Sequence, residues 1–429
     1  MPHRDLLLRN VRFQSARGIA PAFLLFLVAA TASAAPMRAG DLPDRAVRRE
    51  HRIGAPATDA VTTADGPASA RRRSVRNPPR LGPACSTVLG TPAVTFSVDG
   101  GRSVAPTMER LNGVGYTYGL VTLDIPDRLL AVHKNTLISS SDAGCSWSAI
   151  AEFSSAVYSP PVLEATSGGR AYGWSPNNAF LFRVSGTTVN ILTAPVTHIA
   201  GFRADAHDGR HVRLAGADGS IWESFDEGTT WNAIGRVPLE QSFTALYTVA
   251  FDPADLNHVL AGTSSTGAFV SRDGGTSWTR ATGLSTGGPV NVFTIAISPV
   301  DGNVVWAMAL DIRESDLNVP SHGRHIHRST DGGQTFTTVV DADPANDITL
   351  TNGPILIPHP TRPELVYFTF GSTIPGVGAF LYTYDDSRRA LDVHRHLQWH
   401  GINSIAFSRN AADVMYLGLQ IVQRVEPRP

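Results

Sequence analysis

Two segments concentrate the residue types that carry chemistry. Asp311, Glu314, Asp316, His322 and Arg324 fall within 311–324, and Asp341, Asp343 and Asp347 fall within 341–354. A carboxylate pair about 5–10 Å apart suits glycoside hydrolysis, one group as acid and the other as base or nucleophile. Carboxylates beside an imidazole suit a metal ion. The plain alternative is a solvated polar loop. His325 and His327 alternate along a strand pattern and share a face, as do His394 and His396; strand pairs of this kind more often pack than ligate. Trp399 and His400 are expected near the same side. No H-E-x-x-H, EF-hand loop, C-x-x-C or Walker loop occurs, so no metal and no cofactor is expected.

These segments stand out because the rest of the chain is a repeat. Ser271-Arg272-Asp273-Gly274-Gly275-Thr276-Ser277-Trp278 reads S-x-D-x-G-x-S/T-W, and Ser140–Trp147 and Ser224–Trp231 repeat it. Ser329–Phe336 repeats it with Phe336 as the aromatic, and Ser97–Ser103 repeats it without one. The Asp accepts backbone N–H bonds in a tight turn. The Gly two places later takes positive φ at little cost, and the closing Trp buries a large ring. Asp99, Asp142, Asp226, Asp273 and Asp331 are therefore read as structural, with Trp147, Trp231, Trp278 and Phe336 as their anchors.

The Asp positions are separated by 43, 84, 47 and 58 residues, the 84 being one double interval. Degenerate turns at 181–187 and 382–387 fill the missing places, giving seven turns at the period of a four-stranded propeller blade. Strand pairs such as Val249–Phe251 with Val259–Gly262, and Ile295–Ile297 with Val304–Ala307, precede them. The strands after residue 401 lack a following box and Asp99 lacks preceding strands, so the two ends are expected to complete one blade. The expected fold is an all-β, seven-bladed propeller of four-stranded antiparallel blades, its ring closed by strands from both termini. Six blades is the alternative if 152–190 is only an insertion. In this layout both polar segments lie on the face opposite the repeated turns.

Over roughly residues 90–429 the repeat resembles the Asp-box (BNR) repeat of the sialidase/sortilin-like propellers. The resemblance implies that the box lies between the third and fourth strands of each blade and faces away from the binding site. Sialidases of that superfamily hold the substrate carboxylate with three arginines, the first in an R-I-P motif, and use a Tyr/Glu pair with an Asp acid/base. Here Asp124-Ile125-Pro126-Asp127 stands near that place without the arginine, and Arg110 and Arg128 lie in a different context. No motif singles out one of Tyr116, Tyr118 and Tyr247.

Residues 1–34 read as a signal peptide, with Arg4, Arg9, Arg12 and Arg17, an apolar stretch to Ala30, and Ala32-Ser33-Ala34 for cleavage. Residues 35–84, with Arg71-Arg72-Arg73 and Pro78-Pro79, read as a disordered Arg/Pro/Ala-rich leader. The propeller is expected over 85–429, secreted or periplasmic. Cys85 and Cys145 are the only cysteines, and in an exported chain they are expected to form a disulfide. A net charge of −1, with Lys134 the sole lysine, argues against nucleic acid as a partner. No stretch after residue 34 is apolar enough to span a bilayer, and a monomer is expected. The leading functional expectation is a binding scaffold without catalysis. It would hold a protein or glycan on the face opposite the boxes, through Asp311, Glu314, Asp316, His322, Arg324, Asp343 and Asp347. The alternative is a sialidase-like exo-glycosidase.

Overall fold

Runs such as Val259–Thr263 are buried at every position, as expected of strands covered on both faces. Outer runs such as Asn232–Arg236 are mostly exposed, as befits a strand with water on one side. This inside-to-outside gradient recurs through the chain. The computed structural model describes residues 94–104, 115–153, 161–176, 178–239, 244–352, 355–372, 374, 376–397, 399–409 and 411–421. The segments read as signal peptide and leader lie outside these residues, as does Cys85.

The described strands, in chain order, are β1 (Val94–Ser97), β2 (Gly115–Thr122), β3 (Leu129–His133), β4 (Thr136–Ser140) and β5 (Ser148–Glu152). Next come β6 (Val162–Thr166), β7 (Arg170–Trp174), β8 (Phe180–Ser185) and β9 (Thr188–Thr193), then β10 (Ile199–Ala204), β11 (Val212–Gly216), β12 (Ser220–Ser224) and β13 (Asn232–Arg236). The chain continues through β14 (Leu246–Phe251), β15 (Val259–Thr263), β16 (Ala268–Ser271) and β17 (Thr279–Arg280), then β18 (Val290–Ile297) and β19 (Val305–Asp311). A short helix, α1 (Ile312–Asp316), leads to β20 (Arg324–Ser329) and β21 (Thr337–Asp341). It finishes with β22 (Leu356–Pro358), β23 (Leu365–Ser372), β24 (Gly378–Asp385), β25 (Ala390–His396), β26 (Gly401–Phe407) and β27 (Met415–Ile421).

Sheet pairing corrects the expected blade count. Five antiparallel four-stranded blades stand apart: β6–β9, β10–β13, β14–β17, β18–β21 and β22–β25. The remaining strands form one seven-stranded sheet, in which β1, β26 and β2 all pair with β27. Among the described residues the ring therefore has five four-stranded blades, not seven. Turn counting overshoots because it counts hairpins. The contacts Gly115↔Ile421 and Tyr116↔Gln420 merge two hairpin units, and a pairing between the two ends of the chain leaves no trace in a local period. The six-bladed alternative also falls, since 152–190 is no insertion: Val162–Thr193 folds as a complete blade.

The recurrent turns show why the octapeptide is spelled as it is. Ser271 Oγ accepts from the Gly275 N–H at 2.8 Å and donates to Asp273 Oδ1 at 2.8 Å. The Asp273 carboxylate then takes the Ser277 N–H at 2.8 Å and its hydroxyl at 2.6 Å. The same bonds recur about Asp99, Asp142, Asp226 and Asp331. Gly275 sits at φ +96°, and a Cβ there would meet Ile221 of the preceding blade at 2.9 Å. At Gly333 it would meet Leu260 at 2.2 Å. The glycine thus closes its own turn and lets the turn seat against the neighbouring blade. Trp278 Nε1 donates to the Gly275 carbonyl at 2.9 Å, fixing the ring over the turn.

Between blades the core is aliphatic and aromatic. Leu260 and Val270 of one blade pack with Val292, Ile295 and Val305 of the next. Each such side chain fully buried contributes about 1.5–3 kcal/mol. Among the described residues no helix is long and apolar enough to cross a membrane.

Candidate functional site

In an antiparallel four-stranded blade, the first and third turns share one end and the second turn and the outgoing connection share the other. The octapeptide turns occupy the first end. The segments 311–324 and 341–354 adjoin the same end of the β20–β21 pair, where His325 faces Asp341 in register, so both rise at the second end.

Asp311 ends β19 and caps α1. It is 1% exposed. Its Oδ1 accepts the Glu314 N–H at 3.2 Å, and its Oδ2 accepts the Thr286 N–H at 2.7 Å and hydroxyl at 2.9 Å. Burial alone would raise this carboxyl; the donors from Thr286 and Glu314 outweigh it and hold Asp311 below its usual range. Asp311 is therefore committed to tying the loop at Thr286 to the start of α1. Glu314 Oε2 lies 2.9 Å from His325 Nε2, and Asp341 Oδ1 lies 2.7 Å from His325 Nδ1. His325 thereby links the two polar segments, a role the strand alternation of 325 and 327 did not suggest.

His327 lies beneath it, with ring centroids 5.7 Å apart. Burial first, then the neighbouring His325, push its pKa down to about 3 against the pull of Asp311. It is a neutral packing residue at ordinary pH, hydrogen-bonded to Thr338 at 3.2 Å.

Asp316 and His322 are exposed, and His322 sits at φ +50° in the tight return of the loop. Arg324 is half-buried, which lowers its pKa. Asp343 accepts the Asn346 amide at 2.5 Å beside a 3-10 turn over Pro344–Asn346. Exposed Asp347 is left-handed at φ +63°, and its carbonyl accepts the Tyr382 hydroxyl at 2.7 Å. The structure thus brings Glu314 and Asp341 onto His325, with Asp311 capping the adjoining helix, while Asp316 and His322 project to solvent. Trp399 does not join this rim. It is wholly buried and stacked on His396 at 4.5 Å. Among the described residues no group of His, Cys, Asp and Glu is placed to hold a metal ion.

Three features escaped the sequence reading. Gly283-Leu284-Ser285-Thr286-Gly287 has the spacing of a serine elbow. It lies between β17 and β18 with no helix after it, and Ser285 Oγ donates to the Gly288 carbonyl at 3.1 Å. It is a loop that rests on Asp311. Asp124 is the second: it takes the Gly168 N–H at 2.7 Å and the Gly169 N–H at 2.5 Å, tying two adjacent blades on the face of the octapeptide turns.

The third feature is a repeated β-bulge. Inner strands β2, β10, β14, β18 and β26 each slip register once on pairing outward. The residues passed over are Ala200, Tyr247, Phe293 and Asn403, and in β2 Tyr118 with Gly119. Tyr118, Ala200, Tyr247, Phe293 and Asn403 each precede the end of their strand by the same interval, so they stand at one height of the ring. Tyr247 and Phe293, from neighbouring blades, bring their rings to 4.7 Å. A bulge shows itself only in pairing, and the local pattern of β14 or β18 reads as an ordinary strand.

No protein-family model matches the chain. Among solved structures it is similar to the GH74 xyloglucanase of Xanthomonas campestris, with a TM-score of 0.52 and 14% identity over 72% of this chain, which spans 51% of that enzyme. YCF48 from Cyanidioschyzon merolae aligns with a TM-score of 0.49 and 14% identity over 71% of this chain and 95% of that one. The xyloglucanase likeness shows a shared β-propeller fold. The "Dispase autolysis-inducing protein" of Streptomyces mobaraensis is 43% identical over 343 residues, covering 80% of this chain and 90% of that relative. The chain belongs to the family of this Dispase autolysis-inducing protein.

Proposed function

We propose that the chain is an exported, non-catalytic propeller that binds a protease and promotes its self-cleavage, through the face opposite the octapeptide turns. The observation that carries this reading is the 43% identity across 90% of a relative named for inducing autolysis of Dispase. Autolysis means that the cut is made by the protease. The propeller need supply only binding energy, and the rim suits that task. Asp311 is consumed by its cap and Glu314 and Asp341 by His325, which leaves the loops rigid and the remaining charges outward.

A binder accelerates self-cleavage only if it prefers the protease in a cleavable form. That form would be one in which a normally protected segment is open, or one in which two protease molecules lie together. The expected specificity therefore resides in contacts with a folded protein surface. Incubating Dispase alone and with the purified chain, and following intact Dispase on a gel, tests the reading. Faster loss of Dispase with the chain itself left whole is expected; an unchanged rate contradicts it.

A further inference from the structure

We propose that the bulge residues Tyr118, Tyr247, Phe293 and Asn403 form an anchor site that takes an apolar side chain from a loop of the protein partner. This rests on the protein-binding reading above. A bulge leaves its extra residue outside the ladder and re-aims it, and bulges gather beside binding sites. Here five inner strands place one at the same height, and three of the five residues so placed are aromatic. Packing alone would bury such rings. Tyr247 instead remains 41% exposed while touching Phe293 at 4.7 Å across a blade boundary. Tyr118 lies 5.3 Å from Tyr116 in an edge-on pair. Asn403 Nδ2 is buried without a hydrogen-bond partner, a donor left available to a carbonyl of the occupant.

The site adjoins the polar rim. Phe293 lies on β18, whose first residue Val290 pairs with Asp311, the residue that caps α1. An aromatic centre continuous with a charged border has the anatomy of a protein–protein interface, in which a few aromatic anchors carry most of the energy. Ala200 is the one small side chain among the five bulge positions and leaves room for the entering group.

The test is calorimetric titration of the full chain with inhibitor-blocked Dispase, using Tyr247→Ala, Phe293→Ala and Ala200→Trp. Each variant is expected to weaken binding by about tenfold or more, the scale of an interface anchor. Melting temperatures should stay close to the parent for Tyr247→Ala, since that ring is already partly in water. If the parent binds and all three variants bind with parental affinity, the anchor site is wrong while the protein-binding reading stands. If the parent does not bind Dispase, both fall. A xyloglucan oligosaccharide bound by the parent and lost in Tyr247→Ala would reassign the rings to a sugar and overturn the proposal.

Discussion

His258 reaches from one blade to the next: its Nε2 donates to the carbonyl of Gly332, 2.9 Å away in the following octapeptide turn, while its Nδ1 lies 3.2 Å from Asp252 Oδ2. His258 is wholly buried. Burial would raise the Asp252 carboxyl, but the His258 bond and the Ala254 N–H outweigh it and hold it low. Replacing His258 by Ala leaves the Gly332 carbonyl and the Asp252 carboxylate short of a donor and opens a cavity. The expected loss is about 2–4 kcal/mol in equilibrium unfolding. His322→Ala, at an exposed position, should change stability by less than about 0.5 kcal/mol.

The turns should also set the acid limit of the fold. Asp273 is held at about 2, first by the Ser277 hydroxyl and then by its N–H, and Asp226 is held at about 2 by the Thr230 N–H and hydroxyl. Both lie below the ordinary value of 3.8. A carboxyl depressed in the folded state contributes stability that is present above its unfolded pKa and lost as pH falls through the folded one. The guanidinium midpoint should therefore drop between about pH 4 and pH 2. The double variant Asp226→Asn with Asp273→Asn should start lower and fall less steeply across that window. A slope equal to the parent's would show that these carboxylates do not govern acid stability.

Much of this was legible in the sequence, for physical reasons. Each octapeptide needs Ser, Asp, Gly and a hydroxyl at fixed places because one carboxylate and one Ser Oγ satisfy the whole turn. The spelling therefore survives in every copy from Asp99 to Asp331. The position of the two polar loops followed from the same period. What stayed hidden is long-range. The β27–β2 pairing that merges two hairpin units depends on Gly115 meeting Ile421. The bulges at Tyr247 and Phe293 exist only relative to β15 and β19. His325 looked like a packing residue because its two carboxylate partners come from separate loops.

The rim loop should be separable from the fold. Arg324 pairs with Leu310, so a short turn replacing 312–323 keeps the β19–β20 ladder and retains Asp311. The shortened chain is expected to melt near the parent temperature and to lose Dispase binding. Parental affinity in a folded, shortened chain would move the binding surface away from this loop.

Cys145 lies in the octapeptide turn after Gly144, and we expect it to bridge to Cys85, which would fasten the start of the propeller to that turn. Closing a loop of about 60 residues contributes about 4 kcal/mol by the chain-entropy estimate. Thiol titration of the unfolded, unreduced protein should find no free thiol, and two titratable thiols would refute the bridge.

Because the chain carries a single lysine, the proposed protease-binding face of the propeller can be read directly by cross-linking. Lys134 is exposed in the β3–β4 turn, at the end of its hairpin opposite the octapeptide turns. A second lysine can be placed on the rim as Asn318→Lys or among the octapeptide turns as Thr276→Lys, both at exposed positions. Each variant is mixed with inhibitor-blocked Dispase, treated with an amine-reactive cross-linker and mapped by mass spectrometry. Cross-links from position 318 to Dispase, with none from position 276, are the predicted result. Cross-links from position 276 with none from 318 would contradict the account.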